Sequence, residues 1–241
     1  YEISACLVGS EMCIRDRAMV TTSKGTVIAA ADQRNTHWSD WGNIDTVVRR
    51  STDNGLTWED PIDVIDLKSQ SYFSGTQSAY TIDPAMIAED ENGKNPGRVW
   101  MLVDMFPEST NGSQGTWSIK ETGTGYVKVD GKDYLSLYDK DNNQYTLREN
   151  GEVFDKDNQK TDYVVKQFEG NDEQGYHEKG DLYKSGEYVG NIYLRSTSKN
   201  NDSAPLHPTQ TCYLWLSYSD DDGVTWSDPV DITPQVKADW M

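Results

Sequence analysis

An all-β fold built on a repeated unit is what this sequence predicts, on three observations. The first is the repeat itself. Ser51-Thr52-Asp53-Asn54-Gly55-Leu56-Thr57-Trp58 returns as Ser219-Asp220-Asp221-Asp222-Gly223-Val224-Thr225-Trp226. The likeness continues, since Glu59-Asp60-Pro61-Ile62-Asp63-Val64 is answered by Ser227-Asp228-Pro229-Val230-Asp231-Ile232. A unit used twice points to a repeat architecture. The second observation is a composition rich in Tyr (14), Trp (8) and Gly (19) with only 35% hydrophobic residues, which suits strands and turns better than helices. The third is a series of short apolar runs at close spacing with turn residues between them.

Taken in order, residues 26–31 form a short apolar strand ending in Asp32-Gln33-Arg34, and a polar loop covers 35–43. Residues 44–50 lead into the first repeat. Within each repeat the Asp can accept hydrogen bonds from the backbone ahead of it, and the Gly supplies a positive φ. Thr and Trp then start the next strand, so each copy reads as a turn between two strands. Residues 78–88 and 99–105 are two further strands, joined by Glu91-Asn92-Gly93-Lys94, which carries an Asn-Gly hairpin signal. Residues 115–205 are more polar and rich in small hairpins, as at Lys128–Tyr134, Tyr138–Asn143 and Phe154–Asn158, and read as a β-rich insertion. Asp139-x-Asp141-x-Asn143 lacks the Gly at position six and the acid at position twelve of a calcium loop, so a hairpin turn is expected there. Residues 213–219 form a clean strand into the second repeat.

A formal net charge of −18 excludes nucleic acid as a partner, since that needs a basic surface. No apolar run reaches the roughly 18 residues of a membrane span. The N-terminus lacks the regions of a secretory signal. Cys6 to Asp16 break the register of the strand-like sequence that follows, and Leu7 to Asp16 reads codon for codon as the translation of a transposon-type sequencing adapter, so residues 1–17 are expected to be artefactual. Cys13 falls inside that stretch and Cys6 abuts it, which leaves Cys212 as a packed thiol, no native disulfide and no metal cluster.

The repeat S-x-D-x-G-x-T-W resembles the Asp-box of sialidases and a few other β-propellers. The loop His37-Trp38-Ser39-Asp40-Trp41-Gly42-Asn43-Ile44-Asp45, preceded by Asp32-Gln33-Arg34 and followed by a box, is more specific. With Tyr80-Thr81-Ile82-Asp83-Pro84, Asp104-Met105-Phe106-Pro107 and residues 180–226, it is similar to the bacterial exo-α-sialidases of the large secreted type. The likeness runs over nearly all of 18–241. It implies a partial six-bladed β-propeller interrupted by the insertion: first blades at 18–114, insertion at 115–205, and a further strand with the second box at 206–241.

The implied activity is retaining hydrolysis of terminal α-linked sialic acids on glycoproteins, glycolipids and oligosaccharides, without cofactor or metal, in a secreted or cell-surface enzyme. The paired carboxylates of most glycosidases give way in this class to a Tyr nucleophile. Physically, a phenol avoids repulsion by the substrate's own carboxylate. Asp40 matches the acid/base, which protonates the leaving oxygen, with a pKa expected to be raised by burial against Trp38 or Trp41, or else it caps its loop. Arg34 matches an active-site Arg, with a surface ion pair as the competing reading. Asp83 matches a pocket Asp that hydrogen-bonds the sugar, or else ends a strand. Ile82 and Phe106 match apolar positions near an N-acetyl pocket, or else pack in the core. His37 is expected to be a solvated loop residue. Arg15 falls by register on the slot of the first of three Arg that clamp the substrate carboxylate. The other two, the Glu and the nucleophilic Tyr are implied beyond Met241, so the chain alone is expected to be inactive. The rival reading is a carbohydrate-binding propeller without chemistry. A protein-binding propeller would need neither the Ser39–Gly42 loop nor Asp83.

Overall fold

The computed structural model describes residues 13–68, 78–108, 123–166, 179–195 and 203–237, with side chains described from Asp16 onward. The first sheet takes its strands in chain order, all antiparallel: β1 (Cys13–Thr21), β2 (Val27–Arg34), β3 (Ile44–Ser51) and β4 (Ile62–Ile65). Alternation sets its faces, since side chains two apart share a side of a strand. Ile28 and Ala30 of β2 and Val48 of β3 enter the main core.

The second sheet begins with β5 (Tyr80–Ala88) and β6 (Val99–Phe106), and is then interrupted. The chain builds a separate antiparallel sheet from β7 (Tyr126–Val129), β8 (Lys132–Tyr138), β9 (Gln144–Leu147), β10 (Glu152–Asp155), β11 (Lys160–Val165), β12 (Asp181–Lys184), β13 (Glu187–Asn191) and β14 (His207–Pro208). Strand β14 pairs with β8, so this inserted sheet runs past the expected boundary at 205. The chain then returns as β15 (Tyr213–Ser219), which pairs with β6 along its length, and closes the second sheet with β16 (Val230–Asp231) and a single helical turn, α1 (Thr233–Val236). The result is two four-stranded blades of a propeller-like fold, and the ring is not closed among the described residues. Strand β5 lies against β1, β2 and β3, which sets the second blade on the face of the first.

The two repeat turns occupy equivalent places, each after the third strand of its sheet. Their Asp and Ser side chains make the same turn hydrogen bonds. Asp53 Oδ1 accepts from the Thr57 amide at 2.8 Å and Oδ2 from the Thr57 hydroxyl at 2.6 Å, and Asp221 does the same with Thr225 at 2.8 and 2.6 Å. Ser51 and Ser219 each accept the amide of the repeat Gly at 2.8 Å. Asn54 and Gly55, like Asp222 and Gly223, take positive φ, which the turn requires. The copies differ in packing. The second is wedged against the first blade: the Asp222 carboxylate accepts from Thr26, and the Asp222 carbonyl accepts Arg50 Nε at 2.9 Å. Trp226 is buried in the core. Asp221→Ala is therefore expected to lower the thermal midpoint by about 2–4 °C, the shift of a change near 1 kcal/mol in a chain of this size. Asp53→Ala, in a turn without that packing, should lower it less. Differential scanning calorimetry of the two variants checks the order.

Two local expectations are modified, and the turn at Asp139 forms as expected. Residues 13–17 do not break the strand pattern. They pair with β2 from Cys13 opposite Arg34, and the mismatch is absorbed by a bulge at Asp16, which takes a φ of 46°. The hairpin between β5 and β6 forms, but not on a tight Asn-Gly turn. Asn92 and Gly93 lack the positive φ such a turn needs. The Glu89 carboxylate instead gathers the Asn95 amide at 2.8 Å and Trp100 Nε1 at 2.7 Å, and opens the loop until Glu89 N meets Arg98 O at 2.8 Å. The Asp139 carboxylate is spent on its own turn, accepting the amides of Asp141 and Asn143 at 2.9 Å, and Asp155 repeats the arrangement with Asp157 and Gln159.

Candidate functional site

The end of the blades away from the second repeat turn is where the chemistry collects. Strand β2 ends there, β3 and β5 begin there, β6 ends there and β15 begins there. Ile44 of β3, Tyr80 and Ile82 of β5 and Phe106 of β6 form a small buried cluster with Trp41 and Cys212 packed against it. Phe106 stacks on Tyr80 with ring centroids 5.3 Å apart. Ile82 and Phe106 thus lie in the apolar floor of this end. Burial and the nearby Asp104 push the Cys212 thiol up to about 12, as befits a packed thiol.

Arg34 is the centre above that floor. Its side chain has no solvent exposure, so it is not a surface ion pair. Nη2 reaches Asp16 at 2.7 Å and Asp32 at 3.2 Å, and Nη1 reaches Asp40 at 2.7 Å. Nη1 also donates to the Trp38 carbonyl at 3.1 Å, which ties the 35–43 loop to β2. The neck of that loop is closed by Asn35 N to Asn43 O at 3.0 Å, and the Asn35 side chain donates to the buried Asp45 carboxyl. Asp40 therefore sits at the tip of a tethered loop, with its side chain 44% exposed. Trp38 is 69% exposed. Trp41 turns down to the floor cluster and against His37, at 4.1 Å between ring centroids. His37 is half-buried rather than solvated, because Gly42 brings the backbone across the ring: a Cβ on Gly42 would meet Nε2 at 2.8 Å. Burial, and then Arg34, lower its pKa, so it is neutral near pH 7.

Asp83 reaches the same cluster from β5. A bulge between Ile82 and Ala85 sets it at a φ of 58°, a conformation that non-glycine residues adopt rarely and that turns an exposed side chain toward the mouth. Its backbone amide donates to Asp32 Oδ1 at 3.2 Å. Burial, then Asp16 and Asp40, raise the Asp83 pKa against the pull of Arg34. Asp32 is fully buried. Burial drives its carboxyl up to about 8, opposed by Arg34 and reinforced by Asp16 and Asp83. Arg15 has its backbone in β1 opposite Asp32, and its side chain lies outside the described portion.

Comparison with known proteins places the chain as a whole. The chain is 31% identical over 255 residues to the anhydrosialidase of Macrobdella decora, an alignment taking in 92% of this chain and 31% of that protein. It is 29% identical over 167 residues to sialidase B of Streptococcus pneumoniae serotype 4, taking in 61% and 22%. The solved intramolecular trans-sialidase of Ruminococcus gnavus, in complex with oseltamivir carboxylate, superposes with a TM-score of 0.72 at 26% identity, over 94% of this chain and 50% of that one. The chain belongs to the sialidase family. No protein-family model matches it. This sialidase-family chain spans about a third or less of the length of the curated relatives it matches.

Two residues of the cluster escape a motif reading. Asp32 was legible through the strand period, since it shares a side of β2 with Arg34. Asp16 had no signal, because its approach depends on a bulge. The carboxylates of Asp16, Asp32 and Asp83 come within 4.8 Å of one another, and Arg34 pairs with the first two.

Proposed function

We propose that this chain carries the acid/base Asp and part of the substrate pocket of a retaining exo-α-sialidase. Its substrates are terminal α-linked sialic acids on glycoproteins, glycolipids and oligosaccharides, met outside the cell or at its surface. The observation that carries the reading is Asp40 Oδ1 at 2.7 Å from the buried Arg34, on a loop tip at the strand ends. To protonate a leaving oxygen, Asp40 has to exchange Arg34 for the substrate. An anionic sugar offers Arg34 a replacement, since a guanidinium binds carboxylates well. Four carboxylates around one guanidinium leave the mouth acidic, so capture of the substrate carboxylate calls on Arg residues from elsewhere, Arg15 among them. Protonation of Asp32 and Asp83, both with raised pKa, would also favour the anion at mildly acidic pH.

Tyr80 does not serve as the nucleophile. Its phenol is buried, and burial, Cys212 and Asp40 hold its pKa well above the usual range, the reverse of what attack needs. The Tyr nucleophile and its Glu are proposed to come from sequence after Met241. Release of lactose from 3′-sialyllactose tests the reading, because hydrolysis, transfer and intramolecular reaction all free it. The gene product extended downstream is expected to release lactose, and this chain alone is not. Asp40→Ala in the extended protein should lower kcat/KM by about 10²–10⁴, the usual contribution of a general acid. Unchanged turnover by that variant would refute the reading and favour a binding propeller.

A further inference from the structure

The insertion leaves β6 and rejoins β15 at the same end of the blades as the Asp40 loop. Where it rejoins, an open cleft of about 1260 Å³ runs between residues 123–127 and 204–210, over strands β8 and β9. Ser136, Tyr138 and Gln144 face it together: Gln144 Nε2 donates to Ser136 Oγ and to Tyr138 Oη, both at 3.2 Å. His207 closes one side. It bonds the Ile192 carbonyl through Nδ1 at 3.0 Å and Ser203 Oγ through Nε2 at 3.2 Å. Burial and the neighbouring Arg195 lower its pKa to about 4, so the ring is neutral. The charged residues of the lining balance, two carboxylates (Asp139, Asp141) against two cations (Lys140, Arg195). Arg195 Nη2 is turned to the Pro208 carbonyl at 3.0 Å, and the Asp139 carboxylate is held by its own turn.

The groups presented are therefore tyrosine rings, hydroxyls and side-chain amides, with no surplus charge. That set suits a sugar without a carboxylate. Its C–H face stacks on an aromatic ring, and its paired hydroxyls meet an amide and a hydroxyl, which donate and accept. We propose that the cleft at the neck of the insertion binds neutral hexose units of a glycan, with Tyr138 and Gln144 as its main contacts. The proposal does not depend on the chemistry assigned to Asp40, and binding can be read without turnover.

The test is a titration of the isotope-labelled 241-residue chain with lactose, and in separate samples with free N-acetylneuraminic acid, followed by two-dimensional NMR. Lactose is expected to shift the Gln144 side-chain amide and the backbone amides lining the cleft saturably, with a Kd on the order of 1 mM, and the backbone amides report binding by the Gln144→Ala variant. Tyr138→Ala and Gln144→Ala should each weaken binding about tenfold, equal to the loss of about 1.4 kcal/mol. Tyr138→Phe keeps the ring and the packing, and should weaken it less. Spectra of the free variants show whether each is folded, and Tyr138→Phe and Gln144→Ala decide the matter if Tyr138→Ala is not. Any of three results would overturn the proposal: no saturable shift by lactose at on the order of 50 mM, far above the expected Kd, shifts only with the acidic sugar, or lactose binding undiminished in the folded variants.

Discussion

Arg34→Met is expected to destabilise the chain by about 3–5 kcal/mol, the cost of stripping the partner from a buried charge. The reason lies in what remains. Asp32 is fully buried at 3.2 Å from the guanidinium, and Asp16 and Asp40 both stand at 2.7 Å. Methionine restores the volume of the stem and none of the charge. The loss should be greatest above neutral pH. It should shrink as pH falls and Asp32 takes up its proton, since a neutral carboxyl tolerates burial far better than an ion. The double variant Arg34→Met/Asp32→Asn should recover much of the loss, because the two residues share one interaction and their effects are not additive. Urea midpoints for the four proteins of this cycle measure it. A loss for Arg34→Met below about 1 kcal/mol, typical of an exposed pair, would contradict the buried arrangement.

Stability is expected to fall as pH rises from about 6.5 to about 8, the window between the ordinary histidine pKa and the raised pKa of the two acids. Asp32 and Glu108 are both buried, and burial raises each to about 8, although Arg34 opposes it for Asp32 and the Arg195 amide and charge oppose it for Glu108. Between their ordinary pKa and the raised one, the folded chain holds protons that the unfolded chain has released. Stability therefore declines with rising pH, by up to about 1.4 kcal/mol per unit for each group. His207 acts in the opposite sense at lower pH. Its pKa is lowered to about 4, so the unfolded chain binds its proton first and stability rises with pH between about 4 and the ordinary histidine value near 6.5. The acids are then unopposed by His207 only above that value. Asp53 and Glu89, each lowered to about 2 chiefly by hydrogen bonds, lose their contribution as pH falls through the acid range. Asp32→Asn and Glu108→Gln should each flatten the decline between about pH 6.5 and 8, a window set by ordinary histidine and the raised acids. A urea midpoint that rises with pH across that window would contradict the burial of both.

The blades were legible because their strands obey the period of two and their turns carry the residues that turns require. Strands β2, β3, β5, β6 and β15 fall within a few residues of where the apolar runs place them. The interruption of the second blade was legible as a change to polar, hairpin-rich sequence. Its closure by β14 was not, since His207–Pro208 is too short to carry a pattern. At the site, Asp40, Arg34 and Asp83 stood out by resemblance, and the fold brings them to one end of the blades. Their mutual electrostatics were not readable, because Asp16 and Asp83 arrive through bulges, and a bulge is a backbone event with no composition of its own. The packing of Trp41 against the floor likewise follows from tertiary structure and not from the order of residues in the loop.

The role of Asp40 is the central claim, and leaving-group dependence tests it most directly. The extended protein and its Asp40→Asn variant should be compared by kcat/KM, which reports the first bond-breaking step, on 3′-sialyllactose and on 4-nitrophenyl sialoside. Lactose leaves as an alcohol that needs a proton, and nitrophenolate leaves without one. If Asp40 is the acid, the variant loses about 10²–10⁴ on sialyllactose and little on the nitrophenyl substrate. Equal losses on both, or none on either, would contradict the assignment.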